Sequence, residues 1–382
     1  MSPKKNIKDF SLPELEQMLL DFGYQKFNAR QIFSWIYKKQ IDDFDKMSDL
    51  PAGLRVLLKK NFISSAVFVK DKLQSYDGTR KLLFELCDKN LIEGVIIPTR
   101  DWITGCVSTQ AGCKYNCSFC ASGVAGFKRN LTVAEIIDEV LCLKKNSVNN
   151  SQDDCVIARS ETTKQSQRVT RLLRPFRARN DTKEAQRGLT HLVFMGTGEP
   201  FDNYANVLKA VRIINSAEGF NIGARRITIS TSGLIQGIEK LAKEGLQIEL
   251  SVSLHAADDK TRSLLMPVNK IYPLRDLLNA CKKYIRQTNR QVTFEYILIK
   301  GLNSDLQSAQ KLGKLLKGMN CKVNLIPANP IEQIKIYPPA KPDILSFEDS
   351  LLKSGVNVIL RRPRGQDIEA ACGQLRLKYE KK

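Results

Sequence analysis

Six short apolar runs, at residues 104–108, 191–195, 226–230, 248–254, 292–299 and 322–326, alternate along the chain with segments of helical length. Strands separated by helices pack as βα units, so this rhythm selects an α/β fold built on a parallel sheet or barrel. Six units make a partial barrel, (βα)6, rather than the closed eightfold one. Ahead of it, residues 1–65 read as an N-terminal helical accessory domain. Leu15, Met18, Leu19 and Phe22, then Ile32, Phe33 and Ile36, then Leu54, Leu57 and Leu58 each recur at helical spacing. Residues 66–100 read as a β-rich connector, with strand-like runs at 81–86 and 92–97 and an Asp77-Gly78 turn signal before them. The barrel is expected over 101–340. A C-terminal extension over 341–382 carries a helix near 344–352, a strand near 356–360 and a polar tail.

Residues 149–188 interrupt the rhythm, separating a helix from its next strand by far more than the usual two to six or so loop residues. The segment is rich in Arg, Thr, Ser and Gln, a composition that cannot support a core. It reads as an inserted surface loop, with a dedicated RNA-binding arm as the alternative. Its place between a helix and the following strand puts it on the N-terminal, noncatalytic side of a barrel.

Sixty Lys and Arg against forty Asp and Glu give a formal charge of +20 and a pI near 9.5. That excess favours a polyanionic partner such as nucleic acid, and a solvated basic surface accounts for it equally well. No run reaches the roughly 18 consecutive apolar residues of a spanning helix, so a cytoplasmic location without a membrane partner is expected. Ten cysteines then point to metal binding or thiol chemistry, because a reducing cytosol does not maintain structural disulfides. His191 and His255 are the only histidines, too few for a histidine-rich zinc site.

The sharpest local signal is Gly112-Cys-Lys-Tyr-Asn-Cys-Ser-Phe-Cys-Ala-Ser-Gly123, a C-x3-C-x2-C triplet just after an expected strand. Cys113, Cys117 and Cys120 can each hold one corner of a 4Fe-4S cubane and leave the fourth iron open. An open iron can chelate the amino and carboxylate groups of S-adenosylmethionine (SAM). A zinc site is the alternative, with Cys106 as the nearest fourth ligand. Gly196-Thr-Gly-Glu-Pro200, Ser230-Thr-Ser-Gly233, Ser253-Leu-His255 and Pro327-Ala-Asn-Pro330 also follow expected strands, so they and the cysteine loop converge on one barrel mouth. Cys106 and Cys372 are each either a small buried hydrophobe or a working thiol.

Taken together, Cys106-Val-Ser-Thr-Gln110, the triplet, Met195-Gly-Thr-Gly-Glu-Pro200, Ser230 to Gly233, Ser253 to His255 and Asp367-Ile-Glu-Ala-Ala-Cys-Gly-Gln374 closely resemble the radical SAM RNA methyltransferase family RlmN and its relative Cfr. The resemblance runs from the helical module to the tail, with 149–188 as the main departure. It implies a radical SAM partial barrel, a 4Fe-4S cluster and two SAM molecules per turnover. The implied reaction is methylation of carbon 2 of adenine in 23S rRNA and in tRNA beside the anticodon, with carbon 8 of adenine, as in Cfr, or radical SAM chemistry on another substrate as the alternatives. In this scheme SAM first methylates Cys372. A 5′-deoxyadenosyl radical then takes hydrogen from that methyl group, the methylene adds to adenine, and Cys106 forms a disulfide with Cys372 to release the base. Matching also puts Gly198, Glu199, Ser230, Ser253, Leu254, His255 and Asn329 around SAM, with Phe119 beside its adenine. It assigns Glu93 as proton acceptor, although Glu93 by itself is an acidic residue on a strand of the kind most often solvated. An electron donor such as flavodoxin or ferredoxin and a monomeric state complete the expectation.

Overall fold

The computed structural model describes residues 4–124, 126–148, 188–329, 336–361, 364–368 and 379. The elements are organised by a sheet of ten strands. In chain order these are β1 (Val67–Gln74), β2 (Arg80–Leu86), β3 (Leu91–Pro98), β4 (Ile103–Cys106) and β5 (His191–Phe194). They continue with β6 (Ile227–Thr231), β7 (Glu249–Ser253), β8 (Val292–Leu298), β9 (Cys321–Pro327) and β10 (Asn357–Leu360). From β4 to β10 every neighbouring pair is parallel and sequential. The six expected strands are therefore all present, and β10 adds a seventh beyond the (βα)6 arrangement. β1, β2 and β3 pair antiparallel with one another, and β3 pairs antiparallel with β4. The connector thus extends the barrel sheet.

Burial follows from this arrangement. β8 is covered on both faces and reads Val-Thr-Phe-Glu-Tyr-Ile-Leu, a nearly continuous apolar run of the kind parallel strands need. β1 alternates buried and exposed along its length, as suits an edge strand with one wet face. Helices α1 (Leu12–Asp21), α2 (Lys26–Phe33) and α3 (Ala52–Asn61) make up the N-terminal module. Helix α4 (Val133–Ser147) begins with a capping box in which Thr132 accepts from Glu135 N and Glu135 accepts from Thr132 N. Nearly all of its residues are buried, against β3 and β4 on one side and the N-terminal module on the other.

Two acidic contacts dock that module. Asp9 Oδ1 accepts the Ala134 amide at 2.8 Å, on the first turn of α4, where unpaired N–H groups favour an anion. Lys8, almost fully buried, donates to Asp138 of α4, to Asp42 at 3.0 Å and to Ser64 O. Asp138 also accepts the Ala66 amide at 2.7 Å. Residues 149–187, the bulk of the expected insertion, lie outside the described residues. The flanking elements are the end of α4 and the start of β5.

The C-terminal extension crosses from one sheet edge to the other. After β10, Arg361 N donates to Leu325 O on β9. Gly365 N then donates to Asp77 Oδ2, and Asp367 accepts Ser75 Oγ and Tyr76 N in the β1–β2 hairpin. Among the described residues no helix is long and apolar enough to cross a membrane.

Removing one member of a buried ion pair leaves the other charge stranded. Lys8→Ala is therefore expected to lower the unfolding free energy by about 3–5 kcal/mol in urea titrations. A conservative change at the exposed, i,i+4-paired Lys353 is expected to shift it by less than about 0.5 kcal/mol.

Candidate active site

A cavity of about 400 Å3 opens at the C-terminal ends of the parallel strands. Its wall includes Cys113, Cys117 and Cys120, together with Cys106, Gly198, Glu199, Ser230, Ser253 and His255. Phe119 lines it too, so ten expected site residues meet in one space.

The cysteine loop is fixed at both ends. Gln110–Ala111 pairs antiparallel with Arg129–Asn130, and Lys128 N returns to Ala111 O. Gly112 has φ +86°, and a Cβ there would lie 1.8 Å from Gly126 O, so a larger residue cannot enter the loop. In mid-loop, Ser118 N donates to Leu265 O at 2.9 Å, tying it to helix α5 (Asp259–Leu265). Burial pushes the Cys113 thiol up to about 11, and burial with the neighbouring Cys120 and Cys113 pushes Cys117 upward too. Thiols that resist ionising alone, as Cys113 and Cys117 do, lose their protons on iron, so the three-cysteine donor set fits a cluster. Among the described residues no three His, Cys, Asp or Glu side chains gather around a single-ion position. A cubane bound at three separate corners does not require that.

The loop after β5 is shaped by close approach. Gly198 has φ +108°, and a Cβ would fall 2.5–2.8 Å from Gln110, where no side chain fits. Glu199 N donates to Gln110 Oε1, while the buried Glu199 carboxylate accepts Phe201 N at 3.1 Å and Ser232 N at 2.6 Å. Burial raises its pKa, and those donors act against the rise. Glu199 thereby fastens the β5 loop to the β6 loop. Arg262 of α5 fastens the β6 loop to the β7 loop: fully buried, it donates to Ser232 O, Ser253 O, Leu254 O and Tyr272 O and to Asn269 Oδ1.

His255 is a non-glycine residue at φ +58°, a conformation that persists only when its surroundings impose it. Asn303 imposes it, its amide donating at 2.7 Å to both His255 O and Ile297 O. His255 Nδ1 accepts the Ile297 amide at 3.1 Å, and the Phe119 ring meets the imidazole edge-on with centroids 4.7 Å apart. Burial, then the charge of Arg262, pull its pKa down to about 3. The ring is a neutral donor through Nε2 at ordinary pH.

Other expected residues lie elsewhere. Leu254 has its side chain in the hydrophobic core and contributes only backbone bonds. Asn329 is half-buried and absent from the cavity wall, and Cys372 lies outside the described residues. The reading of Glu93 as an ordinary solvated strand carboxylate is corrected: it is buried on β3 and ion-paired at 2.8 Å with Lys81, buried on β2. No disulfide forms among the described residues. Glu295, Arg361 and Arg364 also line the cavity and were missed. The available signal for Glu295 was a carboxylate inside the apolar run Thr293-Phe-Glu-Tyr296.

Known proteins align with this arrangement over its whole length. Residues 5–63 match the ribosomal RNA large subunit methyltransferase N-terminal domain, and residues 155–311 match the radical SAM superfamily. A protein of Caldanaerobacter subterraneus described as "Probable dual-specificity RNA methyltransferase RlmN" is 40% identical over 377 residues, covering 98% of this chain and 99% of its own length. One from Staphylococcus aureus with the same description is 42% identical over 375 residues, covering 98% and 93%. The chain belongs to the RlmN family. The crystal structure of a radical SAM methyltransferase from Sphaerobacter thermophilus superposes with a TM-score of 0.84 at 40% identity, covering 97% of this chain and 98% of that one. The RlmN barrel is thus a radical SAM fold, with SAM and a 4Fe-4S cluster as the cofactors of that superfamily.

The depressed His255 pKa carries a stability signature in this RlmN chain. Unfolding frees the ring to bind a proton below about 6.5, whereas the folded ring stays neutral until about 3. Stability is therefore lost as pH falls from 6.5 toward 3, by about 2 kcal/mol between pH 7 and 5. His255→Asn, which tolerates the same backbone conformation, is expected to lack that share in urea titrations at the two pH values.

Proposed function

We propose that this chain methylates carbon 2 of adenine in 23S rRNA, and in tRNA beside the anticodon, through an S-methylcysteine at Cys372. The observation that carries the reading is that Cys106 and the three cysteines of the triplet line one cavity, at the barrel face where the SAM loops end. The names of the RlmN relatives support RNA as substrate, and the charge of +20 suits it.

Cys113, Cys117 and Cys120 hold the cluster in this reading. A cluster held there would supply the electron for reductive cleavage of SAM, the source of a 5′-deoxyadenosyl radical. Gly198, Glu199, Ser230, Ser253 and His255 position SAM, and Leu254 and Asn329 take part through the loops that carry them. Phe119, edge-on to His255, borders the adenine. Cys372 would lose its thiol proton and take a methyl group from a first SAM, with S-adenosylhomocysteine as the leaving group, then give up a hydrogen atom from that methyl to the radical and carry the resulting methylene to adenine. Glu93 would take the ring proton, and Cys106 would attack the Cys372 sulfur, forming the disulfide as the bond from that sulfur to the methylene breaks; the Cys106 proton would complete the methyl group and the one leftover electron would pass back to a bound cluster.

Cys372 follows Asp367 by five positions, and Asp367 is anchored to the hairpin whose Thr79 lines the cavity. A tether of that length spans at most about 18 Å, which supports delivery of the sulfur to the same mouth. Residues 1–65 serve as an accessory domain and 341–382 as the extension that carries Cys372. Flavodoxin or ferredoxin supplies the electron, and the enzyme acts as a monomer in the cytoplasm.

Cys113→Ala, Cys117→Ala and Cys120→Ala are each expected to abolish 5′-deoxyadenosine production in anaerobic assays, because each removes one of three cluster ligands. Normal production by any of them would exclude the site.

The two mechanistic thiols are expected to fail differently. Cys372→Ala leaves no methyl acceptor and gives no methylated RNA by mass spectrometry of digests. Cys106→Ala forms the base adduct but cannot resolve it, leaving an RNA-linked, nuclease-sensitive band on denaturing gels. Methylation by Cys372→Ala sinks the two-cysteine scheme, and 8-methyladenine in wild-type digests moves the target carbon.

A further inference from the structure

Glu295 is the remaining carboxylate on the cavity wall that the reaction scheme leaves without a task. It stands on β8 level with Ser253 of β7 and Asn324 of β9, so all three face the barrel interior in one row. The residue is 4% exposed. One oxygen, Oε1, is occupied, accepting Ser251 Oγ at 3.2 Å and Asn324 Nδ2 at 2.9 Å. The other, Oε2, is buried and accepts no hydrogen bond among the described residues. Its nearest cation is Arg361 Nη1 at 3.8 Å, beyond hydrogen-bonding distance.

A buried acceptor with an unmet lone pair costs about 1–3 kcal/mol, and more when charged, unless a ligand completes it. Two neutral donors hold Oε1 and so aim Oε2. The missing partner must bring a hydroxyl or amine donor into a largely apolar cavity that already has Ser253 one strand away. An adenosine offers such a donor in its ribose hydroxyls, and carboxylates recur as acceptors for ribose hydroxyls in nucleotide sites.

We infer that Glu295 is a ligand-binding residue whose free carboxylate oxygen accepts a ribose hydroxyl of an adenosine bound in the cavity. Two adenosines enter that space under the proposed function, on which this inference rests: the nucleoside of SAM and the target nucleotide of the RNA. The chemistry at Glu295 is the same for both, and binding measurements separate them.

The test uses full-length, cluster-loaded protein under anaerobic conditions, as wild type and as Glu295→Gln. The glutamine keeps an oxygen for Ser251 and Asn324 and replaces only the free acceptor, with an amide donor. SAM and its 2′-deoxy and 3′-deoxy analogues are measured by equilibrium dialysis. A target hairpin with adenosine or 2′-deoxyadenosine at the modified position is measured by fluorescence anisotropy. One of the two ligands is expected to bind about tenfold or more weakly to Glu295→Gln. That ligand should lose the same factor in wild type when the hydroxyl is removed, and nothing further in the variant. A loss confined to SAM assigns the hydroxyl to the cofactor, and one confined to the hairpin assigns it to the substrate.

Equal affinities throughout, or a loss in Glu295→Gln that deoxygenation does not reproduce in wild type, would overturn the inference. Should Glu295→Gln fail to fold by circular dichroism, the wild-type arm decides alone, and indifference to deoxygenation of both ligands overturns it. A wild-type protein that binds no SAM in any form would sink the methyltransferase reading instead, while the hairpin arm still decides for Glu295.

Discussion

Parallel pairing from β4 to β10 is the constraint on which the site depends. Each ladder runs in the same direction as the last, so every strand ends on one face, and the loops that leave those ends have to share it. Cys106, Glu199, Ser230, Ser253 and Glu295 come from five different strands or the turns just beyond them. Separations of up to nearly two hundred positions in sequence collapse to one cavity wall through the shared direction of the strand ladders.

Shared direction brings the loops close, and buried polar groups lock them to each other. Glu199 spans from the β5 loop to the β6 loop, and Arg262 spans from there to β7. A guanidinium held by four carbonyls and an amide oxygen, with no ion pair among the described residues, is an expensive object to bury. Its pKa is lowered to about 10, first by that burial and against the pull of Cys117 nearby. Such a residue is sustained by what it organises. Arg262 sits on the helix whose Leu265 carbonyl also holds the cysteine loop, so one element sets the positions of three active-site loops.

Much of this was legible from sequence. The six parallel strands were, because short runs rich in β-branched and apolar residues alternate with segments of helical length. The cysteine triplet and three of the four strand-end motifs were legible for the same reason, their places after those runs being fixed by topology, whereas Pro327 to Asn329 contribute nothing to the cavity wall. Membership of β1, β2, β3 and β10 in the same sheet was not, because edge pairing depends on a partner far away in sequence and leaves no periodic trace. Buried carboxylates were the hardest to see. Glu93 and Glu295 read as polar interruptions, and only the placement of Lys81 across the ladder, or of Ser251 and Asn324 on either side, explains how an acid survives there. Leu254 is the opposite case, a motif position whose side chain joins the core and whose backbone faces the loop contacts.

The bonds from Ser75 and Tyr76 to Asp367 close a loop of about 290 residues. Ordering so long a loop carries an entropic penalty, and synthesis from the N-terminus means Asp367 leaves the ribosome after all the elements it joins. The barrel strands and the cysteine loop can therefore assemble while the rim beside the hairpin is still unmade. During that interval the thiols face a wider mouth than in the finished protein.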